Sequence, residues 1–436
     1  MRLTVLAASL AILTFAGCAA GPIAPEGETY GPDPALVEPT RRLLPVINIA
    51  RAVGWPDGIK PVAPAGFAVQ AFASGLDHPR WLYRLPNGDI LVAETNAPPK
   101  PEVRSGGIRG WIMGLVMKRA GAAPPSANRI TLLRDADGDG VAETRTALLE
   151  NLSSPFGMAL VGDRLFVANA DAVVSFPYVT GQTRITAPAT PVAALPAGRN
   201  HHWTKSLVAS PDGTRLYVGV GSNSNIGENG LDEEVGRAAI HEIDIATGTA
   251  RVFASGLRNP VGMAWQPDSG ALWVAVNERD ELGNDLVPDY MTSVQDGGFY
   301  GWPWSYFGQI VDSRVSPPAP ERVAAALSPD YALGAHTASL GLTFYDGAAF
   351  PAAYARGAFV GQHGSWNRTP RSGYKVIFVP FSGGRPSGPP QDFLTGFLTA
   401  DGEAMGRPVG VQLDSAGALL VADDVGNVIW RVSSTR

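Results

Sequence analysis

Short apolar runs separated by Gly- and Pro-bearing turns recur along the whole chain. Six phrases share one layout, a polar turn followed by a strongly apolar run: Pro86–Glu94, Val161–Asn169, Pro211–Gly219, Asp268–Ala275, Arg356–Gly361 and Ser415–Asp423. The Asn-Gly, Gly-Asp and Asp-Gly pairs in them are hairpin turns. The runs that follow have the length and apolar density of buried strands. Aligned on Leu91, Leu165, Leu216, Leu272, Phe359 and Leu419, the phrases lie 74, 51, 56, 87 and 60 residues apart. A four-stranded blade needs roughly 40–50 residues, so the excess predicts insertions at two or three connections. A second repeat runs in phase with the first, a Pro turn entering an apolar run at Leu76–Trp81, Leu152–Met158, Leu257–Met263 and Gly406–Val411. Together the two repeats predict an all-β chain folded as a six-bladed β-propeller over residues 62–434.

The amino terminus breaks this pattern. Arg2 precedes the apolar run Leu3–Phe15, which has signal-peptide length and is too short to span a bilayer. Ala16-Gly17 then leads to Cys18, the only cysteine, so no internal disulfide forms. The context resembles a bacterial lipobox, whose cysteine is lipidated and becomes the mature amino terminus. Residues 1–18 are thus expected to be a lipoprotein signal and lipobox. The chain is expected to be anchored through lipid in the cell envelope, facing the periplasm, and Ala19 favours the outer membrane. Residues 19–61 are Pro- and Gly-rich and are expected to form an extended tether. Ile108–Ala120 is the one helical-looking insertion. Its apolar residues Trp111, Ile112, Leu115, Val116 and Met117 and its basic end, Lys118-Arg119, suit packing on a blade or contact with a lipid surface.

The 51 Gly and 37 Pro suit a turn-rich β fold, and the net charge of −6 argues against a nucleic-acid partner. Polar candidates cluster at the expected rim of the propeller. His201-His202 precedes a strand, and imidazole is the side chain best suited to take a proton near neutral pH. Arg80, Arg258 and Arg407 stand in the Pro turns, which suggests three guanidinium groups converging on one anion. His363-Gly364-Ser365-Trp366-Asn367-Arg368 places an imidazole, an indole, an amide and a guanidinium together, a set suited to a flat polar ligand. Asp135, Asp137 and Asp139 alternate as in a calcium loop, with Gly138 allowing the turn and Thr146 where a closing Glu would stand. The oxygen-rich loop Asn277–Asp285 offers a second position for a hard cation.

Four of these segments together resemble the PQQ-dependent soluble aldose dehydrogenases, and among them the sorbosone and pyranose dehydrogenase branch. They are Leu257-Arg258-Asn259-Pro260, Asn277–Glu281, Asp296–Pro303 and His363–Arg368. The resemblance implies a propeller that binds pyrroloquinoline quinone (PQQ) and Ca2+ on its axis and oxidises a sugar, with a quinone or a cytochrome as electron acceptor. It implies His202 as the base, and Arg258, Asn259, Arg368 and Arg407 as contacts of the quinone carboxylates. Arg80, His363 and Trp366 complete the expected cofactor site. The resemblance also puts the backbone oxygens of Arg279 and Asp280 at the metal. Where the glucose-dehydrogenase branch has an acidic residue before the base, this chain has His201, and in place of a Gly-Pro pair at the metal it has Arg279-Asp280. A calcium-dependent six-bladed lactonase and a non-enzymatic binding propeller are the alternatives. The lactonase needs acidic side chains on the axis, where the residues in phase here are mainly basic.

Overall fold

The computed structural model describes residues 28–40, 46–99, 119, 121 and 124–435. Cys18 and nearly all of Ile108–Ala120 therefore lie outside the described residues. Each of the six turn-and-run phrases becomes the second strand of a separate antiparallel sheet: Ile90–Glu94, Arg164–Ala168, Arg215–Val220, Leu272–Val276, Gly357–Gln362 and Leu419–Asp423. The Pro-turn phrases become the preceding strands, Pro79–Arg84, Met158–Val161, Pro260–Trp265 and Pro408–Leu413. Leu207–Ala209 and Ser339–Tyr345 fill the same place in the remaining two sheets. These six innermost strands touch their neighbours in a closed ring, which makes the fold a six-bladed propeller with blades 1–6 in chain order from Pro79.

Blade 6 is completed from the other end of the sequence. Phe67–Ser74 is its outermost strand, and Phe67 pairs with Ser434. The apolar clusters lie between successive blades. Phe72, Leu420 and Ile429 meet Leu82 and Val92 between blades 6 and 1, and Phe166 and Val173 meet Leu216 and Val218 between blades 2 and 3. Toward the hub, glycine recurs where backbones approach. A Cβ at Gly262 would lie 2.5 Å from the Leu340 carbonyl oxygen, and one at Gly341 would lie 2.2 Å from that of Val409. The Pro-X-Gly phrase is thus a close-approach signal as well as a turn signal. Below these glycines a cavity of about 290 Å³ runs along the axis, with Leu82, Met158, Val208, Met263, Leu342 and Val411 each contributed by a different blade. Insertions fall where the spacing predicted them, after Glu94 in blade 1 and after Ser293 in blade 4.

Of the segment expected as a tether, the described residues 28–40 and 46–61 lie against the propeller as a strap. Tyr30–Gly31 adds a fifth strand to the outer edge of blade 4. Leu36 and Val37 pack on Leu282, Leu286 and Val287. The Asn48 amide then donates to the Arg368 carbonyl at 2.8 Å, Ala50 is fully buried, and Trp55 Nε1 donates to Asp423 at 2.6 Å. Its Pro and Gly residues suit an extended path, but Leu36, Val37, Ala50 and Trp55 between them find partners on blades 4 to 6. Among the described residues no helix is long and apolar enough to cross a membrane.

Candidate active site

The innermost strands all begin at one face, and the loops there carry most of the polar candidates. His202 stands where the repeat put it. Its N–H donates to the Ser222 carbonyl at 3.2 Å, and Asn277 N–H donates to the Asn259 carbonyl at 3.1 Å in the next blade. Gly221 lets the two blades meet, because a Cβ there would lie 2.5 Å from both Asn259 Oδ1 and His202 Cβ. Burial first, then the nearby Arg258 charge, holds His202 well below the ordinary imidazole pKa.

The arginines do not share equivalent positions. Pro79, Pro260 and Pro408 align as strand starts, but Arg80 follows its proline, Arg407 directly precedes its own, and Arg258 stands two residues before. Two of them, Arg80 and Arg258, already bond to carboxylates that the protein itself supplies. Arg258, only 2 % exposed, donates to the Glu278 carbonyl at 2.6 Å and to Asp280 Oδ2 at 3.4 Å. His336 and Asn367 Nδ2 meet Asp280 Oδ1 at 3.2 and 2.9 Å. Burial alone would raise the Asp280 pKa, but the His336 hydrogen bond and the Arg258 charge bring it down to about 2. Asp424 is the second such hub. It accepts from Arg80 Nη1 at 2.5 Å and from His363 Nε2 at 2.9 Å, with His78 at 3.6 Å. Arg80 supplies the permanent charge that keeps Asp424 ionised, whereas burial pushes His363 down to about 4. Arg368 pairs with Asp285 at 2.7 Å.

Arg407 is different. It is 4 % exposed, donates through Nη2 to the Ala50 carbonyl at 3.1 Å, and lies 5.0 Å from the Tyr374 ring centroid. Its Nε has no partner, and no carboxylate among the described residues forms an ion pair with its side chain. Arg80 Nε, Asn259 Oδ1 and Asn367 Oδ1 are likewise buried without partners. Unsatisfied buried donors and acceptors on one rim fit a polar anionic ligand. Trp366 is half-buried, and its carbonyl accepts from Asn48 N–H at 2.8 Å.

The Asp280 carbonyl, one of the two expected at calcium, does not fit a cation as arranged. The Asp280 carbonyl oxygen already accepts from Arg279 Nε at 3.0 Å and Arg314 Nη2 at 3.4 Å. Arg279 in turn pairs with Asp312. A divalent ion there would face two guanidinium groups. The Asp135 loop has the opposite character. Asp135, Asp137, Asp139 and Glu143 bring carboxylate oxygens within 4.8 Å of one another. Glu143 was not foreseen as a member, and Thr146 instead donates to the Thr183 carbonyl at 3.0 Å.

Sequence reasoning also missed His78, His336, Asp424 and the fully buried Lys205, whose Nζ reaches the Trp203 carbonyl at 3.1 Å. A usable signal for Asp424 was present. The residue following the second strand is polar in five blades, as Thr95, Asn169, Asn277, His363 and Asp424. These residues stand on the rim that carries the site.

A six-bladed propeller with a buried, cation-rich polar rim at one end of its axis is the class of protein that fold and site define. The chain belongs to the TrAA12-like family, whose model matches residues 126–294 and 321–435. It is 28 % identical over 296 residues to an uncharacterized protein of Borreliella burgdorferi, covering 65 % of this chain and 77 % of that one. It is 25 % identical over 362 residues to the pyrroloquinoline quinone-dependent pyranose dehydrogenase of Coprinopsis cinerea, covering 72 % of this chain and 44 % of that one. The holo form of the PQQ domain of pyranose dehydrogenase from the same organism superposes with a TM-score of 0.69 at 20 % identity, over 88 % of this chain and all of that domain.

Proposed function

We propose that this protein is a quinoprotein oxidoreductase that oxidises a sugar or a related alcohol or hemiacetal with PQQ as cofactor. The observation that carries the reading is Arg407, a buried guanidinium with no carboxylate ion-pair partner among the described residues, on the same rim as a neutral imidazole, His202. Family membership and the printed activity of the Coprinopsis relative support it. When bound, the quinone would accept the hydride that leaves the substrate carbon. Arg407, Arg80, Asn259 and Asn367 would hold its polar edge, and His202 would take the hydroxyl proton. The lactonase alternative has less support, because Asp280 and Asp424, two acids of this rim, are already bonded to cationic partners. Calcium is better suited to the carboxylates of the Asp135 loop, where it would be structural. The reading is tested by titrating purified protein with PQQ in excess calcium by calorimetry. Stoichiometric binding, followed by sugar-dependent bleaching of an electron-acceptor dye, is expected, and no binding refutes it.

The same reading places the protein in the bacterial envelope, lipid-anchored through Cys18 and facing the periplasm, with a quinone or cytochrome taking the electrons. Cys18→Ser is expected to move it from the membrane fraction to the soluble fraction or leave it unprocessed. An unmodified amino terminus starting after Cys18 in the wild type would overturn this.

A further inference from the structure

We propose that Ser222 fixes the proton of His202 on Nδ1 and leaves the Nε2 lone pair as the proton acceptor, with Glu234 holding Ser222 in place. This rests on the reading of His202 as the base, and makes Ser222 and Glu234 positioning residues for it.

The assignment follows from donor and acceptor capacity. His202 Nδ1 lies 3.0 Å from the Ser222 carbonyl oxygen and 3.0 Å from its hydroxyl oxygen. A carbonyl oxygen can only accept. The hydroxyl has one hydrogen, and it points at the Ser224 carbonyl 2.7 Å away. Both groups at Nδ1 are therefore acceptors, so Nδ1 carries the hydrogen. In a neutral imidazole the other nitrogen is then bare. That is the form a proton-abstracting base requires.

The platform under the ring is rigid for reasons also visible in the structure. Ser222, Asn223 and Ser224 are 0, 1 and 0 % exposed. Ser222 N–H donates to the Arg258 carbonyl at 2.8 Å, which ties the platform to blade 4. Glu234 ends the short 3-10 turn Leu231–Glu234 and accepts from Asn223 N–H at 2.7 Å and from the Ser224 hydroxyl. Ser224 Oγ in turn accepts from Gly227 N–H at 2.8 Å. The strongest charged or titratable influences on His202 are Arg258, His201 and Lys205, all of them basic, so they disfavour a protonated ring. The arrangement also separates the two histidines. His201 is exposed and stands perpendicular to His202, with ring centroids 4.7 Å apart, while Ser222 orients only the His202 ring.

The test uses ligand-free full-length protein with 15N-labelled histidine, the His202 signals being assigned by their loss in His202→Gln. The expected spectrum shows protonated Nδ1 and bare Nε2, unchanged between about pH 8 and pH 5.5, across the ordinary imidazole titration. Ser222→Ala removes one of the two acceptors. It should shift the signals toward a mixture of tautomers and lower kcat in the PQQ-loaded enzyme about tenfold, with PQQ affinity unchanged. Ser222→Thr, which keeps the hydroxyl, should restore both. If Ser222→Ala does not fold, Glu234→Gln should give the same spectral shift by loosening the platform. A wild-type ring protonated on Nε2, an imidazolium at neutral pH, or wild-type spectra in both variants would overturn the proposal. Failure to bind PQQ would overturn the functional reading and leave the tautomer assignment standing, because the spectrum needs no cofactor.

Discussion

Replacing Arg407 by Met should make the ligand-free protein more stable and its affinity for PQQ much weaker. The opposite signs follow from the surroundings of the side chain. A buried cation without a carboxylate costs several kcal/mol of desolvation. Arg407 recovers part of this through one carbonyl hydrogen bond, to Ala50, and through the Tyr374 ring at 5.0 Å. Such a bond is worth about 1.5–3 kcal/mol and such a ring about 1–2 kcal/mol. A deficit of order 1–3 kcal/mol remains, and the orphaned Nε is its visible sign. Met has similar length and no charge, so it should recover about that amount and raise the melting temperature by a few degrees. A ligand carboxylate seated against Arg407 would instead lose a desolvated charge partner, at about 2–5 kcal/mol, or roughly 30- to 4000-fold in Kd. Scanning fluorimetry without ligand and calorimetry with PQQ read the two effects separately. A variant that melts lower and binds PQQ as wild type does would show that Arg407 is a strut between blade 6 and the strap, and the anion-site argument would fail.

Other outcomes follow from the same geometry. His202→Ala should lose roughly 10²–10⁴ of sugar oxidation with PQQ still bound, and His201→Ala far less, and steady-state kinetics on the two variants decides between the histidines. Glu278 is buried, which pushes its pKa up to about 7. The folded state therefore holds a proton that the unfolded state releases between about pH 4.5 and 7, and this group's contribution falls as pH rises through that window. Glu278→Gln should equal wild type in urea melts near pH 5 and exceed it by about 2–3 kcal/mol near pH 8; no pH dependence in the difference would refute this. Gly341→Ala places a Cβ 2.2 Å from the Val409 carbonyl oxygen, and a loss of at least about 1–3 kcal/mol in urea melts is expected.

The blades were legible because each repeats the same local code. Leu91, Leu165, Leu216, Leu272, Phe359 and Leu419 all fall on second strands, and a polar turn before an apolar run is information carried within ten residues. That His202 lies at the rim, ahead of the innermost strand of blade 3, was legible for the same reason. The partners of the arginines were not. Asp424 meets Arg80 across 344 residues of sequence and His363 across 61, and no periodicity encodes a contact between blades 1, 5 and 6. The strap was misread because Pro and Gly composition describes a backbone path and is silent on whether Leu36, Val37 and Trp55 find something to pack on. The Arg279 and Asp280 carbonyls were judged by a motif, whereas guanidinium groups folding back from Arg279 and Arg314 decide what the Asp280 oxygen can bind.

The pairing of Phe67 with Ser434 has a consequence for how the molecule is made. The strand that opens the propeller has no sheet to join until Val428–Ser434 has been made. Until then blade 6 has a bare edge and the ring is an open arc. Losing the strand Val428–Ser434 and its ladder would remove the middle of the clasp, because Phe67–Ser74 bonds to that strand alone within its sheet. A chain closed in this way stays threadable until Val428–Ser434 is made, and becomes a locked circle only then. Contacts so distant in sequence also make closure the slow step. A nick near the carboxyl terminus should therefore be far more damaging than one in a surface loop.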